Sequence, residues 1–242
     1  LMFLKKYTNL YKLYLNSLNH NCSPSVLSRN MYPPRVNDMN GKLNLLHCYG
    51  WEESGFPADW VENFNRNLDG MTVMSNQVKK TMIDNGVSIP IKVSGLGVDH
   101  INQSLTSYTQ LLDSKTFCFL HVSSCFPRKG ISILLKAYEN SFSIDDDVRL
   151  IIKTFKNPHN NLDQILTTFK QNNIKFPDVS VIYDDLSDIE IKSLYNKCDC
   201  LVAPSFGEGF GLPLAEAMYL KLPVITTGWG GQIDFCTDET SW

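Results

Sequence analysis

No stretch of this chain reaches the roughly 20 consecutive apolar residues of a membrane-spanning helix, so none is expected to cross a bilayer in that form. An excess of one charge is also lacking. Lys and Arg number 22 against 25 Asp and Glu, a net −3, which offers nucleic acid no electrostatic footprint. Cysteines are present but without a framework. There are seven, at positions 22, 48, 118, 125, 198, 200 and 236, most of them inside apolar runs. An odd, scattered set fits reduced thiols in a cytoplasmic protein better than disulfides. Cys198 and Cys200 are close in sequence, but no second ligand pair accompanies them, which argues against metal. No internal repeat or low-complexity tract stands out. A leader pattern is missing as well. Leu1 to Leu18 is apolar and aromatic, yet Lys5, Lys6 and Lys12 fall inside the stretch instead of before it. It reads as an amphipathic helix, either covering a sheet or lying on a membrane surface.

What is present is an ordinary globular composition, 43% hydrophobic and 19% charged over 242 residues. That length allows one large domain or two modest α/β units. Short apolar runs at 43–49, 70–74, 90–94, 117–122, 148–153, 179–183, 199–204 and 223–226 read as buried parallel strands. Helical periodicity marks 76–85, 131–140, 162–172, 188–197 and 214–220. Their alternation predicts α/β architecture with mostly parallel sheets. Residues 20–42, rich in Asn, Ser and Pro, read as an irregular connection. The rhythm breaks after Gly95. We expect residues 1–97 to form one Rossmann-like unit, 98–115 a hinge, and 116–242 a second Rossmann-like unit. Parallel sheets bind ligands beyond the carboxyl ends of their strands.

The loop after the 199–204 strand is the richest in chemistry. It runs Pro204-Ser205-Phe206-Gly207-Glu208-Gly209-Phe210-Gly211-Leu212-Pro213 and leads to Glu216. Three alternating glycines let backbone N–H groups approach a ligand. The helix that follows offers free N–H donors and a positive dipole end, which favour an anion such as a diphosphate. Glu208 and Glu216 do not suit a pure anion site. They make sense as acceptors from hydroxyls flanking the phosphates. Glu216, expected in the first helical turn, would reach a ribose, and Glu208 a sugar.

This segment resembles the signature of family 4 retaining glycosyltransferases, which have the two-domain GT-B fold. The resemblance rests on Pro204-Ser205, Glu208-Gly209-Phe210-Gly211-Leu212-Pro213 and Glu216-Ala217, then Leu222-Pro223-Val224-Ile225-Thr226 and Gly230-Gly231. It runs from about Leu43 to Trp242. It implies a nucleoside diphosphate sugar as donor, with no metal and no other cofactor. Glu208 would lie at the transferred sugar and Glu216 at the donor ribose. The backbone of Gly209, Phe210, Gly211 and Leu212 would face phosphate or sugar. The family's Lys-Gly pair corresponds to Lys129-Gly130, which makes Lys129 the phosphate-binding cation. Ser123 and Ser124 stand where the family usually has an arginine. Either Arg128 supplies that charge or a serine hydroxyl meets a phosphate oxygen.

Gly97-Val98-Asp99 matches the family's approach to the hinge, with a role in closing the cleft. His47, Glu52 and Glu53 are candidates for the acceptor side, although a satisfied core histidine is the plainer reading of His47, and packing that of Trp51. The acceptor would be a saccharide, a lipid-linked saccharide or a small molecule, as in polysaccharide biosynthesis. The location would be cytoplasmic, at the inner face of a membrane if the first helix lies on lipid. Little precedes Leu43 and the chain stops soon after Gly231, so a partial sequence is expected, with both units incomplete. A nucleotide-binding module without catalysis is the rival reading. A sugar phosphorylase of the same fold is another, but no segment resembles a pyridoxal phosphate lysine site.

Overall fold

A computed structural model describes residues 6–18, 24–102 and 116–242. Two all-parallel sheets organise the chain. The first has the order β1-β2-β3-β4, from Val26–Arg29, Leu43–Tyr49, Gly70–Val73 and Ile91–Val93. Helices α2 (Ala58–Asn67) and α3 (Asn76–Asp84) complete this half, with α1 (Thr8–Leu18) before β1. Phe64, Val78 and Met82 from α2 and α3 share one core with Leu46, Tyr49, Met71 and Val73. Burying such side chains stabilises by about 1.5–3 kcal/mol each relative to exposure.

The second sheet has the order β7-β6-β5-β8-β9. These strands are Phe117–Val122 (β5), Val148–Lys153 (β6), Asp178–Ile182 (β7), Cys200–Ala203 (β8) and Val224–Thr226 (β9). Its helices are α4 (Ile131–Ser141), α5 (Leu162–Asn172), α6 (Asp188–Lys197) and α7 (Leu212–Tyr219). Side chains alternate across a strand, so β6 feeds both faces. Leu150 and Ile152 pack with Leu134 and Leu135 of α4 and Leu166 of α5. Ile151 packs with Tyr195 of α6 and Leu214 of α7. The strand order reverses between β5 and β8, and a crevice forms at such a switch point. The loops leaving β5 and β8 therefore meet.

Several expectations need correction. Residues 20–42 contain β1, a four-residue edge strand too short to show an apolar run. Helix α2 went unread because Asn63, Asn65 and Asn67 are weak helix formers, although Trp60, Val61 and Phe64 keep helical spacing. Helix α7 begins at Leu212, which puts Glu216 in its second turn rather than its first. The described residues of helix α1 are not packed into a core. Its Leu10, Leu13 and Leu15 are exposed, and none of the three core clusters includes a described residue of it. Most of the expected hinge, 103–115, lies outside the described residues.

The six described cysteines are free, and all but Cys48 are buried. Burial pushes the Cys198 thiol up to about 12 and that of Cys200 to about 11, which keeps both protonated.

Leu120 is fully buried at the centre of β5. Leu120→Ala is expected to lower stability by about 2–5 kcal/mol in chemical denaturation; a loss below about 1 kcal/mol would show that this core is looser than described.

Candidate functional site

The loop after β5 is built from its own side chains. His121 is fully buried, and its Nδ1 lies 2.7 Å from the Val202 carbonyl. A carbonyl only accepts, so Nδ1 carries the proton and Nε2 accepts. The Ser123 hydroxyl, 2.7 Å from Nε2, is then the donor. Ser123 Oγ in turn accepts from Cys125 N–H at 3.0 Å. The hydroxyl proton expected for a phosphate is thus held inside the loop. Ser124 gives its carbonyl to Asn157 Nδ2 at 3.1 Å.

A short 3-10 turn, Pro127–Lys129, ends at Gly130 with φ 70°. A Cβ at Gly130 would sit 2.1 Å from the Pro204 carbonyl oxygen. Only glycine lets the two loops touch there, and this contact directs Arg128 and Lys129 at the loop leaving β8. Phe206 N–H donates to the Arg128 carbonyl at 2.7 Å. Lys129 Nζ donates to Glu208 Oε1 at 2.6 Å, and Ser205 Oγ donates to the same oxygen at 2.8 Å. Glu208 is only 9% exposed. A carboxylate so withdrawn from water requires a paired cation.

Arg128 ties the two halves together. Its NH1 donates to the Gly207 carbonyl at 2.9 Å and its NH2 to Glu52 Oε1 at 3.0 Å. Ser75 caps α3 and also donates to the Gly209 carbonyl at 2.7 Å. Asn76 N–H donates to Asp234 Oδ2 at 2.8 Å. The glycines of the loop serve this junction. A Cβ at Gly207 would lie 2.4 Å from the Glu52 carbonyl oxygen. The sequence pointed to a ligand as the reason for these glycines, whereas here Gly207 and Gly209 lie close to the backbone of Glu52 and Trp51, and Gly211 to the side chains of Gln232 and Leu214.

Gly211 is the N-cap of α7 and provides no side-chain cap. Pro213 has no N–H and Leu214 N–H donates to the Gly211 carbonyl at 3.0 Å, so the N–H groups of Gly211 and Leu212 are the ones left for a ligand. They open on a cleft of about 480 Å³ lined by Tyr32, Trp51, Glu52, Lys129, Glu208 and Gly211, among others. That volume lies within the range of small-molecule sites, about 300–1,000 Å³.

The remaining candidates separate. Glu52 lines the cleft, while Glu53 is exposed and outside its lining. His47 is no core residue. It is exposed, bonded to Ser28 Oγ of the edge strand at 2.8 Å, and absent from the cleft lining. Trp51 packs on Phe56 and Trp60 and donates Nε1–H to the Gly55 carbonyl. Glu216 is buried with a partner on each oxygen. Tyr195 donates to Oε2 at 2.7 Å, and His100 Nε2 lies 2.7 Å from Oε1. Sequence reasoning missed both partners. No spacing signals them, since His100 is 116 residues from Glu216.

The family model for glycosyl transferases group 1 matches residues 108–241. Among curated proteins, the chain is 29% identical over 182 residues to the capsular polysaccharide biosynthesis glycosyltransferase CapM of Staphylococcus aureus, covering 74% of this chain and 46% of that protein. It is 33% identical over 110 residues to the O-antigen chain mannosyltransferase RfbU of Salmonella typhimurium, covering 45% of this chain and 29% of that protein. The chain thus spans less than half the length of these relatives. Sucrose-phosphate synthase from Thermosynechococcus elongatus superposes with a TM-score of 0.74 at 18% identity, over 98% of this chain and 64% of that one. Anabaena Alr3699/HepE, solved in complex with UDP and glucose, gives 0.64 at 20% identity, over 81% and 55%.

Burial lowers the His121 pKa from 6.5 to about 4. The unfolded chain takes up this proton below 6.5 and the folded chain does not. The contribution of His121 is complete above pH 6.5 and is lost as pH falls toward 4, by about 3 kcal/mol in all. Denaturation at stepped pH should show this slope, and His121→Gln should remove that part of it. An identical slope in the variant would contradict the neutral, buried histidine.

Proposed function

This chain belongs to the glycosyl transferases group 1 family, and on that premise we propose that it binds a nucleoside diphosphate sugar in the cleft and transfers the sugar with retention of configuration. Its two sheets have the GT-B arrangement of the solved structures it superposes on. One observation carries the reading. Lys129 and Arg128 converge on Glu208 beside the uncapped start of α7. Two cations beside the free Gly211 and Leu212 N–H groups suit a diphosphate that gains charge as it departs.

In this reading the diphosphate takes over Lys129, Arg128 and the α7 N-terminus. Glu208 then orients the sugar and stabilises its developing positive charge. Oε1 of Glu208 already accepts from both Lys129 and Ser205, which makes it a poor nucleophile. A front-face substitution follows. The anomeric carbon–phosphate oxygen bond breaks, the bond to the acceptor oxygen forms on the same face, and the acceptor proton passes to the departing phosphate oxygen. No step calls for a metal. Glu216 holds the donor ribose, and Glu52 faces the acceptor. The acceptor is a growing surface saccharide, a reading supported by the capsular and O-antigen activities named for the relatives. Helix α1, with exposed Leu10, Leu13 and Leu15 beside Lys6 and Lys12, is proposed to rest on the inner face of a membrane.

Nucleotide release from uridine, guanosine and adenosine diphosphate sugars tests the activity. Calorimetry alongside separates transfer from binding alone. Lys129→Ala and Glu208→Ala are each expected to reduce transfer by about 10²–10³-fold, in variants shown by circular dichroism to be folded. Wild-type turnover in both would sink the mechanism.

A further inference from the structure

The turn Asp99–Ile101 follows the last strand of the first sheet, yet Ile101 is buried in the core of the second, in one cluster with Leu194 and Tyr195. That anchor brings His100 to Glu216. The imidazole Nε2 lies 2.7 Å from Oε1, and the Tyr195 hydroxyl lies 2.7 Å from Oε2. Burial, aided by the Glu216 charge, raises Tyr195 well above the usual phenol range, so it remains a donor. Glu216 is itself buried, whereas His100 keeps 39% of its side chain exposed.

A carboxylate has about four lone-pair sites. Two are occupied here, one on each oxygen. The torsion that turns a carboxylate is broad and only weakly restrained. A single donor would leave it free to swing, but a donor on each oxygen fixes its plane. The two open sites then lie one per oxygen, a spacing that matches neighbouring hydroxyls on one ring. Without His100, Oε1 loses its only described side-chain partner, and only the tyrosine holds the group.

We propose that His100 is a positioning residue that orients Glu216 to receive the 2′- and 3′-hydroxyls of the donor ribose, and so ties donor recognition to the segment leading out of the first sheet. The inference rests on the donor-site reading above. His100 acts through Glu216 and touches no reacting atom.

The test is calorimetry on the full chain with uridine, guanosine and adenosine diphosphates, each beside its 2′,3′-dideoxy counterpart. Hydrogen bonds to a charged group predict that the wild type binds the preferred ribonucleotide about thirtyfold tighter than its dideoxy form. His100→Ala should shrink that ratio to about threefold while leaving dideoxy binding as it was. His100→Gln, which keeps an N–H donor, should restore most of it. An unchanged ratio in His100→Ala, or equal weakening of both forms, overturns the positioning role. Wild-type binding with no preference for the ribose overturns it too but leaves the diphosphate site standing. Failure of the wild type to bind any of the six nucleotides removes the donor-site reading and this inference together.

Discussion

A carboxylate 9% exposed at the junction of two loops constrains the rest of the structure. Glu208 must be paired, since a buried charge left alone costs several kcal/mol. Its cation comes from Lys129, 79 residues earlier. The two side chains can meet only because β5 and β8 are neighbours at the point where strand order reverses. Gly130 must be glycine for the loops to close to this distance. The buried histidine beneath, His121, holds the β5 loop through Ser123 and the β8 strand through Val202. Sheet topology, loop chemistry and site electrostatics thus converge on one ion pair.

In the proposed reading, the same pair prepares the cleft for an anion. Lys129 and Arg128 are held in place by acceptors that a diphosphate can replace: Glu208 for one, Glu52 for the other. In the proposed exchange the cations pass from one anionic partner to another, while Glu208 gives up its lysine for the hydroxyls of the bound sugar. Because Glu52 belongs to the first half and Arg128 to the second, that exchange also loosens one of the links between them. Ser75 and Asn76 at the start of α3 keep two further links.

Much of this was legible in the sequence for identifiable reasons. The strands of the second sheet are buried on both faces and read as continuous apolar runs, so β5, β6, α5 and α6 fall where periodicity puts them. The strand-end rule located both loops. What escaped has equally physical causes. Strand β1 is an edge of four residues, and α2 hides its apolar stripe behind three asparagines. Contacts that join distant segments carry no spacing, so His100 and Tyr195 on Glu216, and Glu52 on Arg128, emerged only from the fold. The glycines of the signature have a second explanation that sequence did not offer, the close approach of Gly207 to the Glu52 backbone.

The central claim is that a diphosphate displaces Glu208 from Lys129 at this switch point. A crystal structure of the chain with a bound nucleoside diphosphate tests it most directly. The account predicts phosphate oxygens about 3 Å from Lys129 Nζ and from the Gly211 and Leu212 N–H groups at the start of α7, with Glu208 turned away from the lysine. A diphosphate bound elsewhere, with Lys129 still on Glu208, would contradict it.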